Sequence, residues 1–325
     1  MAAFRAGQYV SVESEIDGIR ISRPFSIASP PDESRRGNYY DLTVRSMDDG
    51  FLAPWIFENW KPGTPVLTSD PQGFFTYEPL RDQKTVVCLA GGSGITPFRA
   101  LIPDLLIHQP DVRIILLYGA TSPQELIFDT AWRQLAADDA FRFLYEPVVS
   151  RDRTGWHGET GFLTGDRISA LVQHPENASF FVCGPPAMHE FLHGELGTLG
   201  LKPRQVRRES FGLGMRTVDS GTPATLTVHI EGMPHPVTVA ANPAETVLTA
   251  LERAGLNPPA LCRSGECGWC RSRLLSGRVY VPEHSGLRAA DEKFGYFHPC
   301  SSWPQSDLEI RIPRNPKQRD WRKRW

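Results

Sequence analysis

The sequence predicts a multidomain chain of α/β and β type: a small antiparallel β-barrel, a parallel α/β domain, then a compact β-grasp domain. Three observations carry this. Short alternating runs broken by turn residues fill residues 1–80, strands and helices alternate over 81–212, and residues 223–314 open with a hairpin and a helix before a loop crowded with cysteines. A length of 325 residues suits two or three domains.

The barrel is read from Gln8–Val12 and Tyr40–Val44, which alternate apolar and polar residues, and from Asp17-Gly18, Pro30-Pro31 and Pro62-Gly63 between runs. Many short strands with turn signals make a small antiparallel barrel. Beyond Arg81 the period changes. Thr85–Ala90 is a continuous buried-type strand, followed by a glycine turn and a helical stretch to His108. Val112–Tyr118 is the next strand, with a helix near Ile127–Ala137, and Phe180–Gly184 is a late strand before another helix. Such alternation makes a parallel sheet covered on both faces. Residues 213–222 read as a linker. Thr225–Ile230 and Val237–Val239 pair as a hairpin through Glu231-Gly232. A helix is expected next, with Asn242 as N-cap, Pro243 at its first position and Glu245 at its third. Residues 315–325 form a basic tail. That tail reads as a frayed, solvated end or as a docking arm for an acidic partner.

Composition narrows the function. Apolar residues make up 40% and charged residues 22%, and the formal charge is -2, which gives no push toward nucleic acid or a membrane surface. No apolar run approaches the roughly 20 residues that span a bilayer. The start, Met1 to Gln8, lacks the apolar core of a signal peptide, so the cytoplasm is the expected location and a monomer the expected state. Of six cysteines, Cys88 and Cys183 stand alone, while Cys262, Cys267 and Cys270 share one loop and Cys300 follows. In a cytosolic protein such a cluster reads as metal or redox chemistry.

Cys262, Cys267, Cys270 and Cys300 have the C-x4-C-x2-C…C spacing of plant-type 2Fe–2S ligation. Gly265 and Gly268 let the backbone bend and aim N–H groups at the sulfurs. A structural zinc site is the alternative, but it normally shows two short C-x2-C pairs, and only one is present.

Ala90 to Pro97 follows a strand and opens a helix. Gly91, Gly92 and Gly94 let the backbone approach a pyrophosphate, the helix start favours negative charge, Thr96 is placed to cap and Pro97 suits the first turn. Pro97 stands where a G-x-G-x-x-G fingerprint has its third glycine, and no acid ends the next strand to hold a ribose. A plain tight turn is the competing reading.

The chain resembles the ferredoxin–NADP reductase superfamily, in particular the three-domain reductases related to phthalate dioxygenase reductase. Gly91–Pro97 resembles its pyridine-nucleotide motif. Cys183, Gly184, Pro185 and Met188 resemble its second nucleotide motif, whose cysteine lies beside the nicotinamide. Arg23, Pro24, Phe25 and Ser26 resemble its flavin motif, with Phe for the usual Tyr, and residues 225–313 look like a plant-type ferredoxin domain. The resemblance implies that Arg23 pairs with a flavin phosphate, that Phe25 lies on the isoalloxazine, and that Ser26 bonds near N5. It adds Thr43, Val44, Gly50, Phe51 and Leu52 to the flavin-binding residues. It places Glu209 and Phe211 near the flavin, core packing being the other reading of Phe211. Ser26, Cys183 and Glu209 are the expected catalytic residues. Buried Cys183 and Cys88 could otherwise be small hydrophobes. The chain also begins later than family members do, so a short or open barrel is expected.

The resemblance implies a reductase carrying hydride from NAD(P)H to flavin and single electrons through a 2Fe–2S cluster to a redox partner protein: an oxygenase, a demethylase or another metalloenzyme. FAD is expected, with FMN the alternative, from Gly73–Phe75 and Arg207–Phe211. NADH is expected over NADPH, although Ser150 and Arg151, or Thr121 and Ser122, could receive a 2′-phosphate. A non-turnover carrier or redox sensor, and a flavin reductase for small acceptors, are the competing functions.

Overall fold

A computed structural model describes residues 1–16, 19–46, 52–210, 222–282 and 286–315, with backbone alone at 19 and 20. The chain divides into two compact units. One comprises Met1–Val10, Phe25–Asp49 and Asp70–Ser210, and the other Ser11–Pro24, Gly50–Ser69 and Phe211–Trp325. No helix among the described residues is long and apolar enough to cross a membrane.

The first strands are β1 (Tyr9–Ile16) and β2 (Ile19–Ser26). Helices α1 (Pro31–Gly37) and α2 (Leu52–Asn59) precede the short β3 (Leu67–Thr68), and the sheet order is β2-β1-β3. β3 pairs antiparallel to β1 through Val12 and Thr68. Isolated bridges join Tyr9 to Gln72 and Ile27 to Leu42. The strand expected over Tyr40–Val44 is therefore reduced to a single bridge at Leu42. Asp41 is exposed and Thr43 and Val44 are only half-buried, so the alternation has no second face to bury.

The larger unit is built on a six-stranded sheet of order β7-β6-β5-β4-β8-β9, every neighbouring pair parallel. Its strands are β4 (Thr85–Gly91), β5 (Arg113–Ala120), β6 (Phe143–Val149), β7 (Glu159–Thr160), β8 (Ala178–Cys183) and β9 (Val206–Glu209). The connecting helices are α3 (Thr96–His108), α4 (Asp129–Asp138), α5 (Gly165–Leu171) and α6 (Pro186–Thr198). Alternate residues of one strand feed two cores. Val86, Cys88 and Ala90 face Phe98, Leu101 and Trp132, whereas Val87 and Leu89 join Ile168, Leu192 and Leu196. A strand buried on both faces must be apolar throughout, and each aliphatic side chain so enclosed contributes about 1.5–3 kcal/mol. Cys88 is fully enclosed, and burial pushes its thiol up; it is a core residue.

The second unit carries a mixed sheet of order β11-β10-β16-β12-β14. It comprises β10 (Ala224–Ile230), β11 (Val237–Ala241), β12 (Ser272–Ser276), β14 (Tyr296–Phe297) and β16 (Leu308–Ile312), with β13 (Val279–Tyr280) and β15 (Trp303–Pro304) paired apart and α8 (Ala289–Lys293) between. The hairpin β10–β11 is antiparallel and β10–β16 is parallel. Helix α7 (Val247–Arg253) lays Val247, Ala250 and Leu251 against Leu226, Val228 and Ile310. It does not start at Asn242. Asn242 spends its side-chain oxygen on the Ala244 N–H at 3.0 Å, and Glu245 reaches back to the Asn242 N–H at 2.8 Å, closing a separate turn. Thr246 is the N-cap, accepting from the Thr249 N–H at 3.2 Å.

Candidate functional site

Ligands of parallel sheets bind outside the carboxyl ends of the strands, and the expected nucleotide residues lie there. After β4 the glycines form a single 3-10 turn over Gly92–Ile95, and α3 begins at Thr96. Thr96 is not the cap. It is already helical, and its hydroxyl donates to the Ser93 carbonyl at 2.7 Å. Pro97 sits in the first turn, where its missing N–H costs nothing. A Cβ at Gly94 would fall 2.2 Å from the Cys183 carbonyl oxygen and 2.6 Å from the Gly184 nitrogen. The two nucleotide motifs thus touch backbone to backbone, and Met188 packs its sulfur on Gly91 and Gly184. Pro185 is exposed at the N-cap of α6.

Ser26, Cys183 and Glu209, separated by up to 183 positions, come together. The Ser26 hydroxyl donates to the Glu209 carboxylate at 3.1 Å, and the Cys183 thiol lies 4.0 Å from the same oxygen. Cys183 and Glu209 are register partners on β8 and β9, which fixes their spacing. All three are buried, at 4%, 4% and 3% exposure. His189 bonds the Glu209 carbonyl at 3.1 Å and pins the strand end. Phe25, preceding Ser26, is half-buried.

At the ends of β5 and β6, the Ser150 hydroxyl donates to the Ala120 carbonyl at 3.1 Å and the Arg151 N–H to the Thr121 carbonyl at 3.1 Å. Thr121 donates its hydroxyl to Glu125. Gly50, Phe51 and Phe211 lie outside the described residues, as do residues 213–221 of the expected linker and 316–325 of the tail. Thr43 and Val44 are in irregular backbone, and Leu52 is buried at the start of α2.

In the second unit, Arg23 on β2 is partly buried. Burial first and the Arg263 charge second lower its guanidinium to about 10, against the opposing pull of Glu252. The surplus of cation over carboxylate there suits an anion such as a phosphate.

The four cysteines of this unit converge. The Cys270 thiol meets Cys300 at 3.3 Å, the Cys267 N–H donates to the Cys262 sulfur at 3.3 Å, and the Trp269 N–H to the Cys267 sulfur at 3.4 Å. The loop turns through left-handed backbone at Gly265 (φ 84°) and Gly268 (φ 68°), where a side chain would strain it. The thiols compete for protons. Hydrogen bonds from Cys267 and Cys300 hold Cys262 far below the usual thiol range, and bonding to Cys262 pushes the other two up. A metal's charge lets all four serve as thiolates. Among the described residues no group of three or more His, Cys, Asp or Glu side chains is arranged for a single ion. Cys262 meets both Cys267 and Cys300, and Cys300 also meets Cys270, so the four sulfurs form one linked group, which suits a polynuclear centre held by four thiolates.

Comparison with known families places an oxidoreductase FAD-binding domain over residues 2–77, an oxidoreductase NAD-binding domain over 88–194 and a 2Fe-2S iron-sulfur cluster binding domain over 228–305. The chain is a three-domain reductase of the ferredoxin–NADP reductase superfamily. It is an NAD(P)H-dependent flavin and iron–sulfur oxidoreductase. The reductase is 29% identical to NADH oxidoreductase HCR of Escherichia coli over 94% of this chain and 88% of that one. It is 26% identical to the glycine betaine monooxygenase reductase subunit of Chromohalobacter salexigens over 94% and 87%. Its fold is shared with phthalate dioxygenase reductase, at a TM-score of 0.66 and 23% identity, covering 97% of this chain and 89% of that one.

Two residues that hold the glycine turn carried no signal in the sequence. Tyr118 donates its hydroxyl to the Gly92 carbonyl at 2.9 Å and accepts from the Ile127 N–H at 3.1 Å, holding the glycine turn; burial pushes its phenol up to about 12. Arg45 brings a guanidinium nitrogen within 3.0 Å of the Cβ position of Gly92, steadied by Glu125 at 3.6 Å. A tyrosine ending a strand and an arginine in a loop carry no local signal for this.

Gly94→Ala is expected to lower the melting temperature by about 5 °C or more, because backbone atoms cannot yield as a side chain can. Its KM for NADH should rise as the two motifs separate. A melting curve and KM matching the parent protein would show that the contact is slack.

Proposed function

We propose that the protein takes hydride from NADH at Ser26, Cys183 and Glu209 and delivers single electrons, through a cluster held by Cys262, Cys267, Cys270 and Cys300, to an oxygenase or related metalloenzyme. The observation carrying this is the convergence of two sets of groups, three buried polar side chains at the strand ends and four thiols in the cysteine loops. The oxygenase-type partner comes by analogy with the relatives, several of which are reductase subunits of monooxygenases. We assign the flavin domain to residues 1–80, the nucleotide domain to 81–212, the linker to 213–222, the cluster domain to 223–314 and the tail to 315–325.

Bound FAD supplies the step from two-electron to one-electron chemistry. The residues hold and orient. Arg23 receives the flavin phosphate and Phe25 packs the ring. Ser26 presents a hydroxyl whose direction Glu209 sets. Cys183 and Glu209, locked in register, line the nicotinamide's place. The backbone of Gly91–Gly94 and the start of α3 take the pyrophosphate, with Arg45 adding a cation. Thr43, Val44 and Leu52, together with Gly50, Phe51 and Phe211, complete the proposed flavin contacts. Anaerobic addition of NADH tests the reading: flavin and cluster absorbance should both bleach. A cluster that bleaches only with dithionite would leave an electron carrier, and a flavin that bleaches alone would leave a flavin reductase.

NADH is the expected donor. A 2′-phosphate at the ends of β5 and β6 would meet the Glu125 carboxylate, and Ser150 and Thr121 already spend their hydroxyls within the chain. Of the groups named for it, Ser122 and exposed Arg151 remain to attract it. Steady-state kinetics should give a kcat/KM for NADH at least about tenfold above that for NADPH, the worth of one unfavourable charged contact. A preference for NADPH would overturn the assignment.

A further inference from the structure

Arg263 follows the first cluster cysteine and is one of three non-glycine residues with positive φ among those described, at 58°. Left-handed backbone at a side-chain-bearing residue is held only where the surroundings over-determine it. Here they do. The guanidinium is buried at 8% exposure and forms two parallel bonds to Glu252 on α7, at 2.6 and 2.5 Å. This fork-to-fork geometry fixes where the charge lies as well as that it is there.

The pair is neutral overall, but its two charges are not equivalent. Arg263 belongs to the cysteine loop and directly follows Cys262, whereas Glu252 belongs to α7. The same helix reaches the cysteines: Leu248, one turn before Glu252, packs with Cys270 and Cys300. A buried cation fixed by its fork therefore lies within the cysteine loops. Two ferric ions, two sulfides and four thiolates sum to a charge of about −2, and one added electron makes about −3. A fixed cation favours the more negative form, and in a poorly polarisable interior it does so strongly.

We propose that Arg263, positioned by Glu252, sets the reduction potential of the 2Fe–2S cluster upward and so makes the cluster a ready acceptor of single electrons. This rests on the cluster assignment above. Arg263 touches no substrate; it is a positioning and electrostatic residue. Glu252 has the opposite sign and the opposite effect.

The test is potentiometric titration of the holoenzyme, read by the EPR signal of the reduced cluster, with iron and sulfide counted in each preparation. Arg263→Gln should lower the reduced-to-oxidised ratio at a fixed applied potential about tenfold, a shift of about 59 mV for one electron. Glu252→Gln should raise it. The double variant should lie between, and Arg263→Lys should stay near the parent. Opposite shifts are something that loosened packing cannot produce. Variants with full iron and sulfide and unchanged potential overturn the proposal, and so do two single variants that shift the same way. A parent protein without iron and sulfide would instead sink the cluster assignment.

Discussion

Cys300→Ser is expected to cost the reductase its cluster and, with it, electron delivery to a protein acceptor. Even a group that only hydrogen-bonds a metal ligand is worth about 10–100-fold in affinity, so loss of a ligand should exceed about 100-fold. The substitution is nearly isosteric, in a buried 3-10 turn, and leaves the fold's other contacts in place. No other cysteine can substitute: Cys88 is sealed in the centre of the parallel sheet, and Cys183 is held in register beside Glu209. Iron and sulfide content should fall to near zero while NADH still bleaches the flavin. Retention of both at the parent level would remove Cys300 from the ligand set. Acceptor reduction that survived cluster loss would assign the chemistry to the flavin directly.

That this cysteine set was legible in the sequence has a physical reason. Three of the four cysteines lie within nine residues, so chain geometry alone brings them together, and their spacing is the one plant-type 2Fe–2S ligation demands. The same holds for the glycine turn, which needs only a strand before it and a helix after it. Parallel strands were legible because burial on both faces forces an uninterrupted apolar run. Where two local readings compete, the sequence cannot arbitrate. Asn242 and Thr246 are both good caps, and the choice between them went to the residue whose helix buries Val247 and Leu251. Tyr40–Val44 has a strand's pattern without a partner ladder. Long-range pairings were invisible in principle: nothing near Arg263 names Glu252, and nothing near Gly92 names Arg45 or Tyr118. Ser26 and Glu209 were each found by resemblance, but their hydrogen bond depends on β2 and β9 meeting in the folded chain.

That hydrogen bond carries the remaining large effect. Glu209→Ala is expected to slow flavin reduction by NADH about 100-fold, the lower range for a positioned polar group in hydride or proton transfer. The carboxylate is the shared acceptor of the Ser26 hydroxyl and the Cys183 thiol, and it is buried. Without it the hydroxyl is free to rotate, and its buried donor costs about 1–3 kcal/mol to leave unsatisfied. Glu209→Gln separates orientation from charge. An amide oxygen still accepts from Ser26, so a variant that recovers most of the rate shows that the carboxylate works by aiming the hydroxyl. A Gln variant as slow as the Ala variant shows that the negative charge itself matters, as it would if it stabilised positive charge on the nicotinamide as hydride departs. Stopped-flow absorbance under anaerobic conditions reads the step directly, and a melting curve run alongside separates a slow enzyme from an unfolded one. If Glu209→Ala reduces its flavin within about twofold of the parent rate while remaining folded, the three buried side chains at the strand ends are packing, and the reacting groups lie elsewhere.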